Sequence, residues 1–366
     1  MRNLLLLPAI IIFSCNQKGA SSTQPYDVIF DSVFKPNEPG GAVLIAKDGK
    51  IIYEKGFGIE DINTKKAISQ QTLFNIGSIS KTFVAFGILQ LAKEQKLFLQ
   101  DDIYKYFPDF KDSSIAKKIK IYHLLTHTSG LPDIRKVQED SVFYLTAKDE
   151  ENWAPIKKTD RLEFEPGERF NYSNPAFNAL ALIIEKVSGM KWQDYIKKNI
   201  MEPAGMKTST ITDGPYPESG VSHGYLFDGN PPAGRAGNYF EKDYGEEPTF
   251  AAAGNGGVWS SVEELWKYEQ AIQKNIFLDS VWTNSSRAPF FPDNWKDSIS
   301  PFIGFCWFIT ETNSERMIGH TGSQGGFRAD YVWLPGKKIF YVILCNTPKP
   351  LGEIRKKILN IALNDH

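Results

Sequence analysis

The 366-residue chain has three cysteines, Cys15, Cys306 and Cys345, too few for a disulfide scaffold or a four-cysteine zinc site. It has no excess of either charge. Its 42 basic and 43 acidic side chains leave a net charge of −1, so no field favours nucleic acid or an anionic membrane surface. It has no apolar run of membrane-spanning length: Leu4 to Phe13 is apolar, but a bilayer needs about 20 such residues. It also lacks a Gly-x-Ser-x-Gly nucleophile elbow, which argues against an α/β-hydrolase. No internal repeat and no long charge run interrupts it. What remains is ordinary globular composition, 42% hydrophobic and 23% charged, which excludes a disordered chain. At roughly 100–200 residues per domain, the length allows two or three domains or one large enzyme fold.

Arg2 ahead of the Leu4–Phe13 run suits a secretory signal peptide. Ile12-Phe13-Ser14-Cys15 resembles a bacterial lipoprotein cleavage box, with Cys15 as the lipidated first residue; the alternative is plain secretion with Cys15 removed. Asn16 to Pro25, rich in Ser, Gln and Gly, suits a flexible tether. The expectation is a signal peptide over 1–14, a lipidated cysteine and tether over 15–26, and a single catalytic domain over 27–366. The protein is then exported and held to the bacterial envelope only through Cys15.

Gly41–Ala46 and Lys50–Phe57 alternate around Asp48-Gly49, a strong hairpin signal. From Ser78, apolar Phe83, Val84, Ile88 and Leu91 mark one core-facing helical stripe that ends near Lys93. Helical patterns dominate up to Val187, and the last, Pro175–Val187, stops at Gly189. Residues 213–257 are crowded with Gly and Pro, as in a cleft wall. Strand patterns return at Ile303–Ile309, Met317–His320, Phe327–Trp333 and Ile339–Leu344. Strands at both ends with helices between predict an α/β chain of the α+β type. One sheet is assembled from both chain ends, with a helical lobe inserted. The α/β lobe takes residues 27–77 and 250–366; the helical lobe and cleft loops take 78–249. In a simple meander of the four last strands, Cys306 and Cys345 stand three spacings apart, roughly 14 Å. Disulfide Cα atoms need about 7 Å or less, so both are expected as free thiols.

Ser78-Ile79-Ser80-Lys81 puts a serine and a lysine one helical turn apart on one face, so the amine can reach the hydroxyl. Three other Ser-x-x-Lys matches begin at Ser32, Ser114 and Ser188. Ser32 runs into Lys35-Pro36, which stops a helix. Ser114 lies in a lysine-rich segment open to water, and Ser188 sits at a helix end where the dipole disfavours an oxyanion. Only Ser78 opens an apolar helix whose first amides stabilise negative charge; its bland alternative is to cap that helix. Tyr172-Ser173-Asn174 follows a Pro166-Gly167 turn, and Asn174 before Pro175 is equally a sound N-cap. His320-Thr321-Gly322-Ser323 stands at a strand end before Gly325-Gly326, where glycine lets backbone amides approach a substrate. Its alternative is a hairpin turn with a surface histidine.

In this order, Ser-x-x-Lys, Tyr-x-Asn and His-Thr-Gly resemble the serine β-lactamase and penicillin-recognising hydrolase family. The similarity is greatest to class C β-lactamases, D-alanyl-D-alanine carboxypeptidases, D-aminopeptidases and family VIII esterases. It covers roughly residues 27–363 and includes Phe74 to Lys81, His123 to Leu131, Phe170 to Gly189 and Gly254 to Leu265. The resemblance implies a β-lactamase/transpeptidase-like fold, an antiparallel sheet built from both chain ends and flanked by helices with the active site between it and an inserted, mainly helical lobe. It also implies a serine hydrolase that cleaves an ester or amide bond through an acyl-enzyme on Ser78. The substrate is a D-amino-acid peptide, an ester or a β-lactam. By the same resemblance Lys81 and Tyr172 form the base, and Asn174 orients Lys81 and the substrate amide. The backbone N–H groups of Ser78 and Ser323 form the oxyanion hole, Thr321 and Gly322 bind substrate, and His320 joins the substrate and proton network. No metal or organic cofactor is implied, and the partner is a small-molecule or peptide substrate, not nucleic acid.

Lowering a tyrosine from pKa near 10 to near 7 takes roughly 4 kcal/mol. One exposed cation supplies only about 1 kcal/mol, so the base pair needs a dry site and a second positive element. Typical β-lactamases carry lysine where His320 stands. At an ordinary pKa near 6.5 His320 is mostly neutral at pH 7.4 and gains charge toward pH 6. That predicts poor β-lactam turnover and better carboxylate binding in acid, unless Arg287 or Arg328 supplies the charge. Three rivals stand beside this reading. A zinc hydrolase would use His123 and His127, but the stretch lacks the glutamate of His-Glu-x-x-His, and only His223, His320 and His366 remain as further imidazoles. A true β-lactamase is a second, and a non-catalytic penicillin- or peptidoglycan-binding module on the same fold is the third.

Overall fold

The computed structural model describes residues 25–133, 147–214, 216–227, 239–241, 253–312 and 315–364. The signal peptide, Cys15 and most of the tether lie outside these residues, as does much of the Gly/Pro-rich stretch before 253. The strands are β1 (Gly41–Lys47), β2 (Lys50–Phe57), β3 (Phe74–Asn75), β4 (Thr210–Ile211), β5 (Tyr225–Phe227), β6 (Tyr239–Glu241), β7 (Val258–Ser260), β8 (Phe308–Thr312), β9 (Glu315–Gln324), β10 (Phe327–Leu334) and β11 (Ile339–Cys345). The main sheet runs β2–β1–β11–β10–β9–β8 and is antiparallel throughout. Both chain ends therefore build one sheet, as the strand patterns predict. Asp48 and Gly49 both have positive φ, 50° and 79°, as a tight hairpin turn requires.

Alternation sends the two faces of the sheet into two cores. Val43 and Ile45 of β1 and Ile343 of β11 pack under the terminal helices Asp27–Val33 and Leu351–Asn364, through Phe30, Ile354 and Ile358. Ala42, Leu44 and Ala46 face the larger core with the helices Ser80–Lys93 and Val262–Gln273. There the Phe83 and Tyr268 rings stack at 4.1 Å and 9°. The helix Ser80–Lys93 is not amphipathic as its stripe suggests: Ala85, Phe86 and Leu89 are buried as well. A helix apolar all round is a core helix, and this one lies between the sheet and the helical lobe. Among the described residues no helix is long and apolar enough to cross a membrane.

Two strand expectations shift. The strand expected over Ile303–Ile309 begins only at Phe308. Cys306 has φ 75°, Gly304 N–H turns back to the Trp307 carbonyl, and the N–H groups of Phe305 and Cys306 bond to the Ser286 and Leu125 carbonyls. The segment's donors thus face helices and not a neighbouring strand. β9 runs on past His320 to Gln324, so Thr321, Gly322 and Ser323 are strand residues paired with β10 and not a strand end. A second sheet, β3–β7–β4, ties Phe74–Asn75 to Val258–Ser260 just ahead of Ser78. Cys306 and Cys345 are both buried and free.

Candidate active site

Gly77–Ile79 forms a 3₁₀ turn directly before the helix Ser80–Lys93. Ser78 does not cap that helix; its Oγ accepts a hydrogen bond from Lys81 Nζ at 2.9 Å. Ser80 Oγ accepts the Val258 N–H at 3.1 Å and ties the turn to β7. Two missing side chains bring the turn against β9. A Cβ on Gly77, whose φ is 52°, would lie 2.6 Å from the Ser323 nitrogen, and one on Gly322 would lie 2.0 Å from the Ile76 carbonyl oxygen. Backbone thus meets backbone where Ile76–Gly77 faces Gly322–Ser323, next to the Ser78 and Ser323 N–H groups.

Lys81 is fully buried. Besides Ser78 it donates to the Asn255 carbonyl at 2.6 Å, and its Nζ lies 5.2 Å from the Tyr172 ring centre and 5.9 Å from that of Phe177. A buried amine needs such partners, because an unsolvated charge costs several kcal/mol otherwise. Asn255 escapes sequence reasoning because it acts through its carbonyl, which any residue carries. Asn174 is not the N-cap of its helix but its first residue. Ser173 is the N-cap of the helix Asn174–Ser188, its Oγ accepting the Ala176 N–H at 3.3 Å. The Asn255 carbonyl holds the Lys81 amine.

His127 brackets Tyr172. In a left-handed conformation with φ 56°, its carbonyl accepts the Asn171 N–H at 2.9 Å and its Nδ1 accepts the Ser173 N–H at 3.0 Å. Its ring stacks on the Tyr172 ring at 4.3 Å and 26°. Burial, reinforced by the neighbouring Lys81 and His320, holds its pKa well below the ordinary histidine value. His123 Nδ1 accepts the Lys120 N–H at 3.0 Å. Both histidines of the zinc alternative therefore commit Nδ1 to a backbone amide. Among the described residues no cluster of three or more His, Cys, Asp or Glu side chains is placed to hold a metal.

His320 lies on β9 with 2% of its surface exposed, against the Phe308 ring at 5.1 Å and the Tyr172 ring at 6.3 Å. Its Nδ1 is 2.7 Å from the Thr321 carbonyl, so Nδ1 carries the proton it donates. Burial first, and the Lys81 charge second, lower its pKa to about 3. The alternative of a surface histidine does not hold, and the ordinary pKa assumed for His320 is replaced by a lowered one that keeps the buried imidazole neutral. Neither suggested arginine replaces the charge. Arg287 is held by Glu269 through two bonds, 2.9 and 2.8 Å, and lies 4.3 Å over Trp307. Arg328 is three residues from Tyr331, the partner of His320, and pairs with Cys345, so it belongs to the opposite face of the sheet.

Serine, lysine, tyrosine and histidine from three distant segments thus stand in one contiguous group. The family profile described as Beta-lactamase matches residues 27–365. The chain belongs to the beta-lactamase family. This beta-lactamase-family chain is 28% identical over 320 residues to Penicillin-binding protein 4* of Bacillus subtilis, which covers 82% of this chain and 66% of that protein. It therefore spans just under two thirds of that relative's length. The octameric penicillin-binding protein homologue of Pyrococcus abyssi is 29% identical, with a TM-score of 0.75 over 89% of this chain and 73% of that one. D-amino acid amidase of Ochrobactrum anthropi, complexed with D-phenylalanine, shares the fold with a TM-score of 0.76 at 20% identity, over 93% of this chain and 99% of that one.

Proposed function

We propose that this beta-lactamase-family chain is a serine hydrolase that cleaves a neutral ester or amide, such as a D-amino-acid amide or peptide, through an acyl-enzyme on Ser78. The observation that carries this reading is a fully buried Lys81 amine 2.9 Å from the Ser78 hydroxyl. In the first step the Ser78 proton passes to the Lys81–Tyr172 pair while Oγ attacks the carbonyl carbon. The charge that develops on the carbonyl oxygen meets the N–H groups of Ser78 and Ser323, each contributing about 3 kcal/mol. The leaving alcohol or amine takes the proton back, and water then attacks the acyl-enzyme with the same pair as base.

Two features favour neutral substrates. A neutral His320 offers a substrate carboxylate no charge-assisted bond, a loss of about 1.5–3 kcal/mol, or roughly 10- to 150-fold in recognition. A cavity of about 320 Å³ adjoins His320 and Thr321; Phe302, Phe308, Met317 and Val332 line it together with Thr310 and Arg355, and the Arg355 charge is paired with Asp330. The proposal places the enzyme outside the cytoplasm, tethered at the bacterial envelope through Cys15, where small-molecule or peptide substrates reach it. A panel of a short-chain ester, a D-amino-acid amide, a D-alanyl peptide and a chromogenic cephalosporin tests the preference. Turnover of the neutral substrates well above the cephalosporin is expected; a wild-type enzyme most efficient on the cephalosporin at pH 7.4 overturns it.

A further inference from the structure

Asp149 opens the helix Asp149–Ile156 and is buried, yet it touches none of the groups in the acyl-transfer steps. Its Oδ1 accepts two hydrogen bonds at 2.8 Å each, one from Asn178 Nδ2 and one from the backbone N–H of Gly254. Both donors belong to segments that build the site. Asn178 lies on the helix Asn174–Ser188, which begins two residues after Tyr172. Gly254 precedes Asn255, whose carbonyl receives Lys81 Nζ at 2.6 Å. Gly254 is also pressed onto that helix, since a Cβ there would lie 2.5 Å from the Phe177 carbonyl oxygen. The loop that carries the lysine's acceptor is therefore held by the Asp149 side chain as well as by Lys81 itself.

We propose that Asp149 is a positioning residue for Lys81: by holding the Gly254 N–H it fixes the Asn255 carbonyl, and so sets where Lys81 Nζ stands relative to Ser78 Oγ. The inference rests on the reading of Ser78 and Lys81 as nucleophile and base partner. The tether does not depend on the carboxyl's proton. Burial raises this carboxyl to about 7, and a proton on the other oxygen leaves Oδ1 an acceptor for both bonds. The same holds for an amide: asparagine at 149 keeps the one oxygen that both donors use. A misplacement of about 1 Å at a reacting group can cost up to about 10²-fold in rate.

The test compares wild type, Asp149→Ala, Asp149→Ser and Asp149→Asn as full chains, by the rate at which a fluorophosphonate labels Ser78 and by thermal unfolding. Asp149→Ala is expected to label about 10- to 100-fold more slowly per folded molecule, and Asp149→Asn to restore the rate to within about threefold of wild type. Asp149→Ser shortens the side chain by one bond and keeps the pocket polar, so it gives the slow rate in a folded protein even if the alanine variant unfolds. Wild-type rates in the alanine or serine variant overturn the proposal and leave Asp149 merely structural. Equal slowing in all three variants also overturns it, because the charge and not the oxygen's position would then matter. A wild-type chain that never labels at Ser78 removes the functional reading itself, and this inference with it.

Discussion

The Tyr172 ring is held from three directions, by His127 stacked at 4.3 Å, by Lys81 Nζ at 5.2 Å and by Phe308 at 6.4 Å. Tyr172→Phe keeps all three contacts and removes only the hydroxyl. Acyl transfer is expected to fall about 10²- to 10⁴-fold with a nearly unchanged unfolding midpoint. Near-normal turnover per folded molecule would make the tyrosine structural. His320 sets a second expectation. With its pKa near 3 it stays neutral from pH 8 to 5, so cephalosporin kcat/KM should show no rise that depends on His320 in that range. His320→Lys should gain selectively on the cephalosporin and not on a neutral ester; a wild-type rise toward pH 6 that this variant abolishes contradicts the buried imidazole. Ser78, Lys81, Tyr172 and His320 are singled out in sequence only by the family resemblance that their motifs carry when taken in order, since each pattern alone has a bland reading. Asn255 is not, because it contributes only a carbonyl. The neutrality of His320 is hidden too, because it comes from Phe308 on the neighbouring strand and from Lys81 far away in the chain.

Strands and helices follow the same division. The hairpin of β1 and β2 is readable from alternation and from Asp48-Gly49, both local signals. The start of β8 is not, since Ile303–Trp307 has a strand-like composition but gives its amides to the Ser286 and Leu125 carbonyls, which lie elsewhere in the chain. The helix Ser80–Lys93 shows its stripe in sequence, whereas its complete burial depends on the helical lobe folded over it. The two cysteines carry the test of strand order. β9 and β10 lie between β8 and β11, and burial raises both thiols, Cys345 to about 12 and Cys306 further. Neither is expected to react with iodoacetamide at pH 8 in the native protein, and both should react once unfolded. A native Cys306–Cys345 bridge found by peptide mapping means that the sheet order is different.

Burial of three histidines predicts that the whole molecule loses stability in acid. His123 is lowered to about 4 by burial and by Lys120, His320 to about 3, and His127 well below its ordinary value. The unfolded chain protonates all three near pH 6.5, so between about pH 6.5 and 4 it binds more protons than the folded one. The stability present above pH 6.5 is lost as pH falls, by about 1.4 kcal/mol per pH unit for each histidine. Asp149, raised to about 7 from an ordinary value near 4, binds its proton in the folded state over the same window and offsets one of the three. The net loss is roughly 2–3 kcal/mol per pH unit. Urea unfolding at pH 7, 6 and 5 should show the midpoint falling steadily; a midpoint independent of pH would mean that these histidines are solvated. The sheet drawn from both chain ends was readable because strand patterns occur at both ends. The acid sensitivity was not, because it depends on which imidazoles the assembled lobes exclude from water.

The most direct measurement is the intact mass of the protein after reaction with a fluorophosphonate, followed by peptide mapping, with Ser78→Ala beside it. The account requires one covalent adduct per chain in the wild type, mapped to Ser78, and none in the variant, whose unfolding midpoint stays within a few degrees of wild type. An unmodified wild-type chain, or an adduct that persists in Ser78→Ala, contradicts a nucleophilic Ser78.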